Sequence, residues 1–394
     1  MVVTIVVLLI LAGISLNLVL GENGIITKAQ EARDKTEQAR INTEKSMNSL
    51  EQELSDYVNK INSGNGGNSG GGSSGGSGSS QTTVENVVIP EGYYYVGGTK
   101  AKGRVISDNV ADKELDKGKE NVRRDLAGNQ WVWVPVETPS SLYTTVDAGQ
   151  ALAGSTGVKT TKYTNSEIIS GIDRGLPGDT SGYREPDIVP DSSRDDTNYA
   201  TAGFSSLANM AENMKNDYEE MIASLEKYKG FYIGRYELTA NGEKTGATQT
   251  NVNWYTLYKN CTTLAVGSKV KTRMIWGLQW DATCNWLDSS GFDITNSSTW
   301  GNYDNNTATG HGSRRNTGFS ESWKANNIYD FAGNCWELTQ EALNTHVRVS
   351  RGGCYSNDGS GDSDYSYPAS SRNNVSPAYT GSGSGSRPTL YLIP

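Results

Sequence analysis

The hydrophobic pattern of the chain begins with a long uncharged run. Residues 2–20 read VVTIVVLLILAGISLNLVL. These nineteen residues would form a helix about 28 Å long, close to the apolar thickness of a bilayer. No basic residue precedes the run, and a charged helical pattern follows it. A retained membrane helix is therefore favoured over the alternative, a secretory signal peptide.

A charged helical pattern and a flexible tether come next. Acidic and basic side chains interleave every three or four residues over residues 25–61, as on a solvated helix. An apolar stripe on this helix predicts packing against a neighbouring chain or against the chain's own head; its members are Met47, Leu50, Leu54, Tyr57, Val58 and Ile61. Residues 63–80 contain only Gly, Ser and Asn, which predicts a flexible coil spanning about 25 Å.

Globular patterning starts near residue 82 and mixes two periodicities. Aromatic and β-branched runs predict strands at residues 92–98, 130–136 and 231–239. Helical spacing predicts helices at residues 204–228, 254–261 and 276–287. Gly230 is the predicted C′ residue of the first helix, and residues 138–200 are predicted to be long loops. The chain thus divides into a helix and stalk (1–62), a linker (63–83) and an α+β head (84–394).

Charge and histidine content reduce the number of functional classes that the sequence allows. The formal net charge is -9 and the pI is about 5.0, so a surface that follows a phosphate backbone is disfavoured and nucleic acid is not an expected partner. The only histidines are His311 and His346, which limits metal-centred or histidine-based catalysis. No cofactor is predicted, although Asp and Asn in the loops leave a structural calcium site open.

Four cysteines leave two alternatives. Cys261, Cys284, Cys335 and Cys354 can form two disulfides in any of three pairings, or remain four buried thiols. Cys261 and Cys284 lie on neighbouring predicted helices, so this pair is the first to test.

The N-terminal segment resembles type IV pilins and related pseudopilins, on the residues TIVVLLILAGISLNLVLGENGIITKAQEARDKTEQA. In that family the apolar half lies in the membrane before assembly and packs into the filament core afterwards. This chain has no basic leader, no glycine cleavage site and no acidic residue early in the apolar run. The resemblance implies contacts with other pilin subunits through residues 1–62, and both membrane insertion and filament assembly stay open.

The head resembles the formylglycine-generating enzyme family, which has a C-type-lectin-like fold. The motif that carries the resemblance is NIYDFAGNCWELTQE (residues 327–341), followed by RVSRGG (348–353) and by RPTLYLI (387–393). Gly333 and Asn334 predict a turn with positive φ, and Trp336 predicts a half-buried anchor. The resemblance implies a C-type-lectin-like head on a long N-terminal α-helix.

The same resemblance bears on enzymatic activity. Family members that oxidise a sulfatase cysteine use a pair of cysteines after the RGG motif. Here the stretch after RGG holds Cys354 alone, and residues 367–372, where the pair would fall, read YPASSR. The sequence therefore predicts a protein that is not an enzyme, with a formylglycine-generating type of oxidoreductase as the alternative.

Residues 354–386 have the composition of a recognition surface. They are rich in Tyr, Ser, Gly, Asn and Asp, as antibody paratopes are, and two strand-like motifs bracket them. The arrangement resembles the variable proteins of diversity-generating retroelements, in which a C-terminal segment is rewritten while fixed residues hold the fold. That resemblance implies a framework, here Arg351, Gly352, Gly353, Pro368, Ala369, Arg372, Pro377, Arg387 and Pro388. It implies ligand-facing candidates at Tyr355, Ser356, Asn357, Asp358, Asp362, Asp364, Tyr365, Tyr367, Asn373, Val375, Ala378, Tyr379 and Thr380.

These patterns together predict a surface-displayed binding protein, associated with a membrane or pilus and acting in adhesion or receptor binding. Its expected partner is a protein or carbohydrate on another cell or on a phage surface. A phage-encoded receptor-binding protein with a membrane anchor is a further alternative.

Overall fold

The computed structural model describes residues 82–137, 172–173, 183–185, 198–343, 347–361 and 366–394. The predicted membrane helix, stalk and linker lie outside the described residues, except for residues 82 and 83. Residues Ser79–Pro394 form one compact unit. Within the described part of the chain, no helix is both long and apolar enough to cross a membrane.

The described head mixes strands and helices, which confirms the α+β prediction. Its strands are β1 (Thr83–Val84), β2 (Val87–Val88), β3 (Tyr94–Gly97), β4 (Val105–Ser107), β5 (Gln130–Pro135), β6 (Ile172–Asp173), β7 (Tyr183–Glu185), β8 (Gly230–Gly234), β9 (Val270–Met274), β10 (Lys324–Ala325), β11 (Ile328–Tyr329), β12 (Trp336–Leu343), β13 (Val347–Arg351), β14 (Arg372–Val375), β15 (Ser384–Ser386) and β16 (Pro388–Leu392). Its α-helices are α1 (Leu207–Tyr228), α2 (Trp254–Cys261) and α3 (Gly277–Ser289).

One six-stranded sheet is antiparallel throughout, in the order β3-β4-β5-β8-β16-β9. Alternate side chains of β4, β5, β8 and β16 enter two separate cores, as the two-residue period of a strand requires. Val132 and Val134 of β5 join the larger core, against which α1, α2 and α3 pack. Trp131 and Trp133 join a smaller core on the other face, which includes Val87 and Ile89 from the β1–β2 region.

Helix α1 shows both what the sequence predicted and where it erred. Ser206 caps its N-terminus by accepting a hydrogen bond from the Asn209 amide at 3.1 Å. The buried apolar positions of the helix follow its period and are Met210, Met214, Tyr218, Met221, Ile222 and Leu225. The predicted last helical residue, Tyr228, is confirmed, but the left-handed residue that follows is Lys229, at φ 58°, and not Gly230. Gly230 instead begins β8, where a Cβ would lie 2.3 Å from the Trp133 ring.

Other boundaries moved by a few residues. Helix α2 has the predicted bounds, whereas α3 is shifted towards the C-terminus. The strand predicted at residues 231–239 ends at Gly234, since the following residues enter a buried polar network. The loop prediction for 138–200 is wrong at β6, β7 and the 3-10 turn Asn198–Ala200, and its other residues lie outside the described ranges.

A second sheet positions residues 354–386. Its order is β14-β13-β12-β7-β6, and β15 pairs with β12 in parallel. The segment leaves β13, returns to its edge as β14, crosses to β12 as β15 and then enters the first sheet as β16. Its ends are therefore held by both sheets.

Candidate functional site

Burial divides the C-terminal segment into two classes of residue. All nine predicted framework residues are buried. Every predicted ligand-facing candidate that the structure describes is half-buried or exposed. Asp362, Asp364 and Tyr365 lie outside the described residues. This division supplies the exposure that a binding role requires; the binding role itself stays a prediction.

Two framework arginines share a buried ion network beneath the segment. Arg351 Nη2 donates to Asp281 Oδ1 at 2.8 Å and to the Ser370 carbonyl at 3.2 Å. Arg372 Nη2 donates to Asp281 Oδ2 at 2.5 Å, and its Nε lies 3.2 Å from both Glu341 carboxylate oxygens. Buried charges persist only when they are paired and hydrogen-bonded, so these four groups depend on one another.

The third framework arginine joins the segment to the first sheet. Arg387 contacts both oxygens of Glu337 through Nε at 3.1 and 3.0 Å, and its Nη2 lies 2.6 Å from Oε1. It also donates to the Gly234 and Tyr329 carbonyls. Arg387 stands immediately before β16, so this network fixes the point where the segment returns to the core.

Residues of the 327–341 motif connect to the start of the 354–386 segment. Gly333 and Asn334 have φ of 75° and 59°, which confirms the predicted turn. Asn334 Nδ2 donates to Glu237 at 2.6 Å, while its carbonyl accepts from the Tyr355 amide at 3.1 Å. Burial raises the pKa of Glu237 well above its usual value, and nearby Asp330 adds to that effect. Burial likewise raises the pKa of Asp330 to about 6.

Much of the segment is anchored through its main chain. Carbonyls of Asn357, Gly359 and Pro377 accept from the backbone amides of Asp304, Ser297 and Trp254, at 3.0, 2.8 and 3.0 Å. Carbonyls of Gly381 and Ser382 accept from the Asn251 amide and from Arg314 Nη1, at 3.0 and 2.5 Å. A main-chain contact does not depend on the identity of the side chain. These main-chain contacts would therefore survive a change of side chain within the segment.

The glycines after β13 have a different reason for their identity. Gly353 has φ 72°, and a Cβ there would lie 2.2 Å from the Tyr367 carbonyl oxygen. Gly352 has φ 84°, and a Cβ on it would lie 3.0 Å from the Phe331 carbonyl oxygen. Only glycine fits such a close approach at positive φ.

The described candidates differ in how freely they face solvent. Ser356, Ala378, Tyr379 and Thr380 are exposed, with Tyr379 at 52%. The half-buried candidates are Tyr355, Asn357, Asp358, Tyr367, Asn373 and Val375.

Three of these half-buried side chains have structural contacts. Asn357 Oδ1 accepts from the Cys354 amide at 2.9 Å, and Asp358 Oδ1 accepts from the Ser360 amide and from Asn305 Nδ2, both at 2.7 Å. Val375 packs against the larger core. These contacts restrict which side chains the three positions can carry.

Sequence reasoning missed residues that share this surface. Asn374, exposed on β14, lies between the candidates Asn373 and Val375. Trp336 is half-buried, as predicted, but its ring also lies edge-on to Tyr367 with centroids 5.1 Å apart. Its amide donates to the Gly383 carbonyl at 2.8 Å. The signature motif marked Trp336 as structural only; its place beside a candidate is visible only in the fold.

The cysteines are buried and unpaired. All four lie within the described residues, and none forms a disulfide. Burial raises the pKa of the Cys284 thiol to about 12 and also raises those of Cys261 and Cys335. The disulfide alternative, including a Cys261–Cys284 bond, is therefore wrong for this structure.

Metal-binding chemistry has no assembled ligand set in the described ranges. There, no group of three or more His, Cys, Asp or Glu side chains is placed to hold a metal ion. His311 Nδ1 lies 3.0 Å from the Asp304 carbonyl oxygen, and His346 is outside the described residues.

No family model matches the chain, and no curated protein matches it in sequence. Among solved structures, Treponema denticola variable protein 1 is similar at 19% identity and a TM-score of 0.29, covering 42% of this chain and 85% of that one. CarF is similar at 14% identity and a TM-score of 0.31, covering 42% of this chain and 87% of that one. PvdO from Pseudomonas aeruginosa is similar at 16% identity and a TM-score of 0.32, covering 42% of this chain and 82% of that one. All three TM-scores lie below 0.5, so these likenesses define neither the fold nor the function of this chain.

Proposed function

We propose that this chain is a surface-displayed binding protein whose recognition face lies in residues 354–386. The observation that carries the proposal is the division of this segment into buried framework residues and exposed or half-buried candidates. A diversified face needs that division, because changes at its variable positions must not unfold the domain. The main-chain anchoring of the segment supplies the same tolerance.

The composition of the face indicates how it would bind. Tyr355, Tyr367 and Tyr379 offer large contact areas at low entropic cost, and the Ser, Asn and Thr around them form adaptable hydrogen bonds. Trp336 lies against Tyr367 but outside the segment. It would therefore stay constant while its neighbours change, and it would act as a fixed anchor of the kind that dominates binding energy at interfaces.

The proposal also includes the finer assignments from the sequence. The head would have the C-type-lectin-like fold of the formylglycine-generating enzymes, with the positive φ of Gly333, Gly352 and Gly353 as its support. Residues 1–62 would display the head on a membrane or pilus, and the ligand would be a protein or carbohydrate on another surface. The protein would not be an enzyme; copper-dependent oxidation of a cysteine peptide by the purified chain would overturn that part.

A pair of matched libraries tests the recognition face. The first randomises Tyr355, Ser356, Ala378, Tyr379 and Thr380 in the full-length chain. We expect most of its members to fold and selection on unrelated proteins and glycans to yield binders. The control library randomises five framework residues, Gly353, Ala369, Arg372, Pro377 and Arg387, and most of its members should fail to fold. Equal fractions of folded members, or a first library that yields no binder, would count against the proposal.

A further inference from the structure

A concave site lies outside the proposed recognition face. It is a cleft of about 760 Å³, bounded by residues near β1, by β3 and by the residues that follow β16. No residue of 354–386 lines it. Its volume falls within the range of about 300–1,000 Å³ that is usual for small-ligand sites.

Tyrosines dominate the wall of this cleft. Tyr93, Tyr94, Tyr95 and Tyr228 line it. Tyr93 Oη accepts from the Val266 amide at 3.0 Å, and Tyr95 Oη donates to the Gly98 carbonyl at 2.8 Å, so these two rings are fixed in position. Within the described residues, the hydroxyl of half-buried Tyr94 has no hydrogen-bond partner. The cleft thus offers apolar ring faces together with an available polar group.

Three lysines supply cationic groups to the cleft. Lys113, Lys227 and Lys269 line it, and in the described part of the head no carboxylate oxygen lies within 4.0 Å of their ammonium groups. Lys227 Nζ stands 5.1 Å from the centroid of the Tyr228 ring. The chain as a whole is acidic, with a net charge of -9, whereas these three lining residues are cationic.

Two carboxylates also belong to the site. Glu114 is paired with Lys117, which is not among the lining residues, at 3.0 Å. Glu91 has no cationic partner among the described residues and can accept hydrogen bonds. The lining therefore combines aromatic faces, unpaired cations and one free acceptor.

We propose that this cleft binds an acidic saccharide. Sugar rings have weakly polar C–H faces that pack on aromatic rings, and their hydroxyls can donate to Glu91 and accept from Tyr94. A sugar carboxylate would be attracted to Lys113 and Lys269. A neutral sugar would leave these ammonium groups unpaired, and an acidic peptide would make less use of the tyrosine wall.

Calorimetric titration of the full-length protein in detergent tests this assignment. The probes are trigalacturonic acid, the neutral sugar galactotriose, and hexaglutamate as the acidic peptide. We expect trigalacturonic acid to bind at least tenfold more tightly than either of the others, and its affinity to fall as salt rises. Absence of binding, equal binding of galactotriose, or tighter binding of hexaglutamate would each overturn the proposal.

Substitutions locate the site. The double variant Lys113→Gln/Lys269→Gln should lose at least tenfold in affinity for trigalacturonic acid, and Tyr94→Ala should also weaken binding. Lys259→Gln removes an exposed lysine outside the cleft and should change nothing. Unaltered affinity in the folded double variant would overturn the assignment, and the probe comparison on the unmodified chain keeps it testable if that variant misfolds. Tyr379→Ala on the recognition face should leave saccharide binding intact, which separates this inference from the proposed function.

Discussion

Replacing Arg372 by Met should destabilise the head strongly. Arg372 and Arg351 together face two buried carboxylates, Asp281 and Glu341. Without Arg372 these two buried carboxylates lose one of the cations that balance them. Removing one partner of a buried ion pair costs about 3–5 kcal/mol. Since Arg351 still lies 2.8 Å from Asp281, we expect the lower end of that range, about 3 kcal/mol.

Tryptophan fluorescence measures this loss in the head alone, because all nine tryptophans lie between residues 131 and 336. For a domain of this size, about 3 kcal/mol corresponds to a fall in Tm of about 5 °C. Arg372→Lys keeps the charge but loses the paired contacts with Glu341, so its loss should be smaller, about 1–2 kcal/mol. The matched surface control, Tyr379→Ser, should stay within about 0.5 kcal/mol of the unmodified protein. If Arg372→Met and Tyr379→Ser have the same Tm, the buried network does not hold the segment and the reasoning is refuted.

Three further outcomes are expected. Gly353→Ala should lower the free energy of unfolding, measured by urea titration, by more than about 1 kcal/mol. Alanine is strained at φ 72°, and its Cβ would meet the Tyr367 carbonyl oxygen. An unchanged free energy of unfolding would contradict this close approach. Burial raises the pKa of Asp330 to about 6 from 3.8, so its protonation favours folding below about pH 4 and this contribution is lost as the pH rises through 6. Stability measured from pH 4 to 7 should therefore fall less in Asp330→Asn than in the unmodified chain, and identical slopes would count against the assignment. In any binder selected from the first library, Trp336→Ala should weaken the affinity at least tenfold, and Trp336→Phe should weaken it less. If neither substitution changes the affinity, Trp336 is not part of the recognition face.

The secondary structure of the head was largely predictable where one pattern dominated. Helix α1 carries an apolar stripe over six turns, and β5 alternates between two cores, so periodicity found both. The left-handed residue after α1 was misplaced by one position, because glycine at position 230 is required for packing against Trp133 rather than for a left-handed turn. Periodicity cannot separate these two uses of glycine.

The candidate site was predictable in outline but not in detail. The resemblance to retroelement variable proteins separated the framework from the candidates, and the structure buries the first set and leaves the described members of the second half-buried or exposed. It could not show that Val375 packs against the core or that Trp336 meets Tyr367, since both depend on how distant segments are brought together. The same limit applies to the tyrosine cleft, whose lining residues come from several separate stretches of sequence.

The position of β16 has a consequence for how this protein is made. β16 lies between β8 and β9 in the first sheet, and it follows the entire 354–386 segment in the chain. A ribosome must therefore translate every codon of that segment before the sheet can close. A frameshift or stop codon there would leave β8 and β9 with unpaired edges, and the cell's proteases would remove the product. Only a reading frame that continues intact through β16 would therefore give a closed first sheet.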